Sequence, residues 1–189
     1  AVSGSGTTTR TVTLSSCSGD GAVGISLASA TASDTLGNNA ASSGLSATFT
    51  VDNTAPTLSI SAPSASSTKA GPITYTVTYS NADTVSLVNA NVTVNAGGTA
   101  SCSSAVSGSG TTTRTVTLSS CSGDGAVGIS LAAATASDTL GNNAAAAGPS
   151  STFTVDNTAP TLSISAPSAS STKAGPITYT VTYSNADTV

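Results

Sequence analysis

Few side chains in this sequence could do chemistry. It contains no histidine, methionine or tryptophan. All eight acidic residues are aspartates, set against four basic ones. With no imidazole base and no glutamate, the abundant serines have no visible partner to activate them, so no enzyme is expected. Cys102 and Cys121 flank a Ser/Gly turn at 107–110 and could pair across a hairpin. Closing a loop of that size stabilises a fold by about 3 kcal/mol in the chain-entropy picture. Two buried free thiols are the other reading. The aspartates do not follow the spacing of an EF-hand loop. Asp and Asn are ordinary turn residues that bond their own backbone. Lys69 sits in a Ser-rich turn, where an isopeptide bond to an Asn would lack the buried acid it needs. Asn91-Val92-Thr93 fits the N-glycosylation pattern, which chains rich in Asn and Thr also produce by chance.

These residues recur with the chain itself. Positions 1–85 reappear at 105–189 with a constant offset of 104, as Cys17/Cys121, Asp34/Asp138 and Lys69/Lys173 show. Only five of the 85 aligned positions differ: Ser29/Ala133, Ser42/Ala146, Ser43/Ala147, Leu45/Pro149 and Ala47/Ser151. A fixed long period signals tandem units. Near-identity argues that the copies do one job in series. Cut at the Asp-Asn-Thr-Ala-Pro segments, 52–56 and 156–160, residues 54–157 form one whole repeat. Residues 1–53 then read as the C-terminal part of a preceding repeat, and 158–189 as the N-terminal part of the next. In that frame the partner of Cys17 falls just before Ala1, so the odd cysteine is expected to be a truncation effect and not a reactive thiol. The chain reads as a window on a longer array. The other reading is that the partial repeats complete each other between subunits of a polymer.

The elements that must position these residues are strands. Ile73, Tyr75, Val77 and Tyr79 alternate with Thr, and Val116 and Leu118 do the same. Val127, Ile129 and Leu131 continue the period, and Phe153 and Val155 close it. Gly, Asn, Asp and Ser clusters punctuate the runs. Seven to eight strands per 104-residue repeat, with one apolar and one Thr/Ser face, predict an all-β fold of end-to-end sandwiches. The Ala-rich stretch 132–136 has helix propensity, but flanking Gly and β-branched Thr argue against a helix. Thr-x-Thr faces could be compared with flat ice-binding arrays; Thr also simply favours exposed strand faces. Only 6% of residues are charged and the net charge is −4, which excludes the basic stripe of a nucleic-acid surface. No apolar run approaches the ~20 residues of a membrane span. A cysteine pair in each repeat points to an oxidising, extracellular compartment.

Several runs together resemble the tandem bacterial Ig-like domains of large surface proteins and adhesins. They are Gly71-Pro72-Ile73-Thr74-Tyr75-Thr76-Val77-Thr78-Tyr79-Ser80, Asn91-Val92-Thr93-Val94, Thr115-Val116-Thr117-Leu118, Ala136-Ser137-Asp138-Thr139-Leu140-Gly141-Asn142-Asn143, and the Asp156-Asn157-Thr158-Ala159-Pro160 junction. The resemblance spans the whole repeat. Ser80-Asn81-Ala82-Asp83 departs from the Ser-Glu-Pro often found there. The resemblance implies an extracellular stalk or extender, sometimes with calcium at domain junctions. Placed on that topology, Asp20, Asp52, Asp83 and Asp138 gather at the junction before the whole repeat, with Asn142 adding oxygen. Asp124, Asp156 and Asp187 are the equivalents at the next junction. Calcium takes six to eight such oxygens and would stiffen the array. Turn chemistry accounts for the same residues without a metal.

The expected function is a non-catalytic spacer, stalk or filament body of a long extracellular or cell-surface fibrous protein, whose partners are neighbouring copies of the repeat. Each sandwich should add roughly 35–45 Å, and Pro in the junction favours a semi-rigid rod. The alternative is an adhesive module whose repeats contact glycans, surfaces or neighbouring fibres. The few aromatics per repeat all lie on the presumed inward faces, which disfavours sugar stacking.

Overall fold

A computed structural model describes all 189 residues. Within residues 54–157 ten strands form: β1 (Thr57–Ile60), β2 (Ser67–Thr68), β3 (Ile73–Ser80), β4 (Thr84–Val85), β5 (Val92–Ala96), β6 (Ser101–Ser107), β7 (Thr113–Ser122), β8 (Gly125–Leu131), β9 (Ala136–Ser137) and β10 (Phe153–Val155). One four-stranded sheet has the order β6-β7-β3-β1 and is antiparallel throughout. The other runs β2-β10-β8-β5, with a parallel pairing only between β2 and β10. β4 and β9 form a separate pair. Seven or eight strands are readable from alternation; a two-residue strand carries no alternation to read.

The period-2 pattern sets the layers. On β3 the side chains of Ile73, Tyr75, Val77 and Tyr79 are buried while the intervening Thr residues point outward. Val116 and Leu118 on β7 face the same way. From the opposite sheet come Val127, Ile129, Leu131, Phe153 and Val155. These side chains belong to one cluster of 15 buried residues. Tyr75 and Phe153 meet across it with ring centroids 6.5 Å apart. The Tyr75 hydroxyl donates to the Ser151 carbonyl at 2.9 Å, which satisfies its one buried polar atom.

The Ala-rich stretch is not helical. Ala132 N donates to Asn91 O and Ala134 N to Ala144 O, so distant carbonyls take the donors a helix would have used. The only helical turn is a 3-10 segment at Asn89–Asn91. Cys102 and Cys121 are disulfide-bonded. The β6–β7 register slips between Ser101 and Ser103, so Ser120 and Cys121 together oppose Cys102. Ser120 sits at φ 51° in this bulge.

Identical sequence gives identical local pairing. Val2–Ser3 pairs with Thr11–Val12 in the register of Val106 and Ser107 on Val116 and Thr115. Gly21–Val23 pairs with Phe49–Val51 as β8 does with β10. Thr161–Ile164 pairs with Val181–Ser184 as β1 does with β3.

Candidate functional site: the junction segments

The aspartates converge on turns and on the segments that join the central body to its flanks. At the first junction Asp20 projects from a Ser-Gly-Asp-Gly turn. Its Oδ1 accepts from the Asn53 backbone N–H at 2.6 Å. Its Oδ2 accepts from the Thr54 hydroxyl. The Asn53 side-chain amide returns a bond to the Gly19 carbonyl at 2.7 Å. Asp52 accepts from Thr54 N–H at 2.9 Å, which closes the joining segment on itself. From the downstream side the Asn142 amide donates to the Asp52 carbonyl at 3.0 Å. The joining segment is thus held from both directions.

The second junction repeats the upstream grip. Asp124 accepts from Asn157 N–H and from the Thr158 hydroxyl, the latter at 2.7 Å. The Asn157 amide donates to Gly123 O at 2.8 Å, and Asp156 accepts from Thr158 N–H at 2.9 Å. The glycines around Asp124 are required. Gly123 has φ 70°, and a Cβ there would overlap the Thr99 carbonyl. At Gly125 a Cβ would overlap the Gly97 carbonyl. Only glycine lets the Asp124 turn lie this close to the neighbouring loop.

Bonds to a carboxylate are charge-assisted, and by stabilising the ionised form they lower its pKa. The Thr54 hydroxyl, then the Asn53 amide, holds Asp20 below the ordinary 3.8. At Asp124 the Asn157 amide leads, followed by Thr158. Asp138 is lowered chiefly by the Asn142 side chain, with backbone donors from Asn142 and Leu140. The same loop in the first flank uses Asp34 and Asn38.

Asp52, Asp83 and Asp138 border one cleft of about 410 Å³ at the first junction. Asp156 and Asp187 border its counterpart of about 510 Å³, beside Lys69. Asp20 lies apart from the first cleft's lining, with Asn53 and Thr54, and Asn142 holds Asp138 and the Asp52 carbonyl. A calcium site built from these residues is not supported by their geometry. No group of three or more acids, histidines or cysteines is placed to hold a metal ion. Some of the oxygens already accept from the protein itself: Asp83 Oδ2 from Thr139 N–H at 2.8 Å, and Asp138 from Leu140 N–H, Asn142 N–H and the Asn142 side chain. Cys17 is exposed and unpaired within these residues. Lys69 is exposed.

Two kinds of residue were not singled out from the sequence. Asn53/Asn157 and Thr54/Thr158 close the grip; their signal was the recurrence of Asp-Asn-Thr. Arg114 is 9% exposed, and its guanidinium donates to the carbonyls of Gly110, Thr113 and Val85 at 2.8, 2.8 and 3.0 Å. Its signal was parity: Arg114 shares the inward face of Val116 and Leu118.

No family model, no curated protein and no solved structure matches this chain.

Proposed function

We propose that this chain is a non-catalytic structural element, a spacer, stalk or filament body of a long extracellular or cell-surface fibrous protein built from Ig-like sandwiches in tandem. The observation that carries this reading is the repeated grip. Asp20 with Asn53 and Thr54, and Asp124 with Asn157 and Thr158, form the same hydrogen bonds one repeat apart. A link made twice in the same way sets the same relation between successive units, and a constant relation makes a regular rod. The disulfide fits an extracellular site. No helix is long and apolar enough to cross a membrane.

Direct adhesion to glycans gains no support from the central body. Its aromatic rings, Tyr75, Tyr79 and Phe153, are all buried, so none is free to stack on a sugar.

Spin labels on Cys17 and on Ser168→Cys test the rod. Both positions are exposed, and the bonded cysteines do not react. A narrow distance distribution by double electron–electron resonance is expected. A broad one, of the kind a flexible linker gives at about 5–6 Å × √n, would remove the rod and with it the spacer function.

A further inference from the structure

Asp20 and Asp124 are the only aspartates in the chain that precede a glycine, and no asparagine precedes one. Both aspartates are exposed. Glycine has no Cβ, so its backbone nitrogen is the least shielded nucleophile that a neighbouring carboxyl can meet. The fold cannot trade that glycine away, because a Cβ at Gly125 would overlap the Gly97 carbonyl. The two carboxylates that hold the junctions thus stand in the one sequence context where an aspartate readily cyclises onto its own backbone.

We propose that Asp20-Gly21 and Asp124-Gly125 are modification sites, at which isoaspartate forms when the junction grip opens and then keeps the grip from closing again. The chemistry needs no partner. With the Asp124 carboxyl protonated, the Gly125 nitrogen attacks Cγ. A new C–N bond forms, and the carboxyl hydroxyl leaves as water with the proton from the nitrogen. The product is a five-membered succinimide. Water then reopens the ring. Attack at the Cγ carbonyl restores aspartate. Attack at the Asp124 backbone carbonyl breaks the original peptide bond and leaves the chain running through Cγ. The water lost is the water regained, so the mass does not change. The isoaspartate carries one more methylene in the backbone ahead of β8 and bears its carboxylate directly on Cα.

The closed grip opposes each step. Asp124 Oδ1 accepts from Asn157 N–H and Oδ2 from the Thr158 hydroxyl at 2.7 Å, which favours the ionised form, a poor electrophile. Thr99 holds the backbone from the other side. Its N–H donates to the Asp124 carbonyl at 2.9 Å, and its hydroxyl accepts from Asp124 N–H at 2.9 Å. The peptide plane that must turn to bring Gly125 N onto Cγ is therefore tied at its oxygen. Asp20 is engaged in the same way, Oδ1 by Asn53 N–H and Oδ2 by the Thr54 hydroxyl. Cyclisation accordingly follows the population of opened junctions. The product cannot re-form the grip: its carboxylate sits one carbon nearer the main chain, on a turn one atom longer, out of reach of both donors of the joining segment. The inference rests on the geometry of the grip and not on the spacer reading.

The test stores the full 189-residue chain warm at neutral pH for several weeks. Peptide mapping with electron-transfer fragmentation, and methyl labelling by an isoaspartyl methyltransferase, locate the product. Isoaspartate should accumulate at Asp20 and Asp124 and not at the other aspartates, and more slowly than in the same chain unfolded in guanidinium chloride. Thr158→Val keeps the side-chain shape and removes the donor to Oδ2. It should raise the rate at Asp124 about tenfold, the effect of losing one hydrogen bond to a charged group, with Asp20 unchanged as the internal reference. Thr54→Val should do the reverse. In the stored parent the distance distribution between labels on Cys17 and Ser168→Cys should broaden in step with the isoaspartate content. A Thr158→Val chain that isomerises at Asp124 no faster than the parent overturns the proposal. Equal rates in the folded and unfolded parent overturn it too, as does a distribution that stays narrow while isoaspartate accumulates. Each of these results leaves the spacer reading standing.

Discussion

Asp20 and Asp124 tie the turns that carry them to the joining segments through hydrogen bonds. Their pKa is lowered below 3.8 by the donors they accept from. A lowered folded value means that the stabilisation is present above the unfolded value and is lost as pH falls through the still lower folded one. The label-to-label distribution should therefore stay narrow from neutral pH down to about 4 and broaden only below that. Loosening near pH 6 would contradict this assignment. Asp20→Ala should broaden the distribution at neutral pH while leaving the unfolding transition of the central body in place, because Asp20 lies outside it. Arg114 works within the body instead. Truncating it to Ala strands the carbonyls of Val85 and Gly110 and should lower stability by about 1–3 kcal/mol, read as a shift in the urea midpoint.

Among the elements, the β6–β7 hairpin combines three devices in one place: a tight turn, a bulge and a covalent bond. The disulfide constrains the outer strand of its sheet, where few large side chains hold it: Cys102 and Val106 are only half-buried. Replacing Cys102 and Cys121 together by Ser should cost about 3 kcal/mol by denaturant titration, in line with the loop they close. A cost near zero would mean that the hairpin is held by strand pairing alone. The five differences between copies also have a structural address. Four fall on the strap that leads into β10, and the fifth, Ala133, lies in the loop that follows β8. Ala133 and Ala146 are exposed. Returning either to Ser should shift stability by less than about 0.5 kcal/mol.

For the whole molecule, the important quantity is how one unit is set on the next. The first joining segment is gripped by Asp20 upstream and Asn142 downstream, so bending it requires breaking charge-assisted hydrogen bonds on one side or the hydrogen bond from the Asn142 amide on the other. Because these carboxylates already hold protein donors, adding a chelator or calcium should leave the label distribution unchanged. A distribution that narrows with calcium would restore the metal to the junction. Rod length should then scale with repeat number at roughly 35–45 Å per unit, a relation that imaging of longer arrays can check.

Much of this was legible in the sequence by itself. Alternating Tyr, Val and Leu fixed which side chains face inward, because a strand turns successive residues to opposite faces and only the apolar ones lose nothing on burial. The 19-residue spacing around a Ser/Gly turn allowed Cys102 to pair with Cys121 but left two free thiols open; the structure forms the disulfide. The same parity placed Arg114 inside, although its identity as a charged residue hid the fact. What the sequence left open was the use of the aspartates. Calcium sites and turns draw on the same residue types, and the difference lies in where each oxygen points and which donor reaches it first. Those contacts depend on long-range placement: Asn157 N–H on the Asp124 carboxylate across 33 positions, the Asn142 amide on the Asp52 backbone carbonyl across 90. Composition and period carry no information at that distance, because such contacts form only once the sheets have closed around their core.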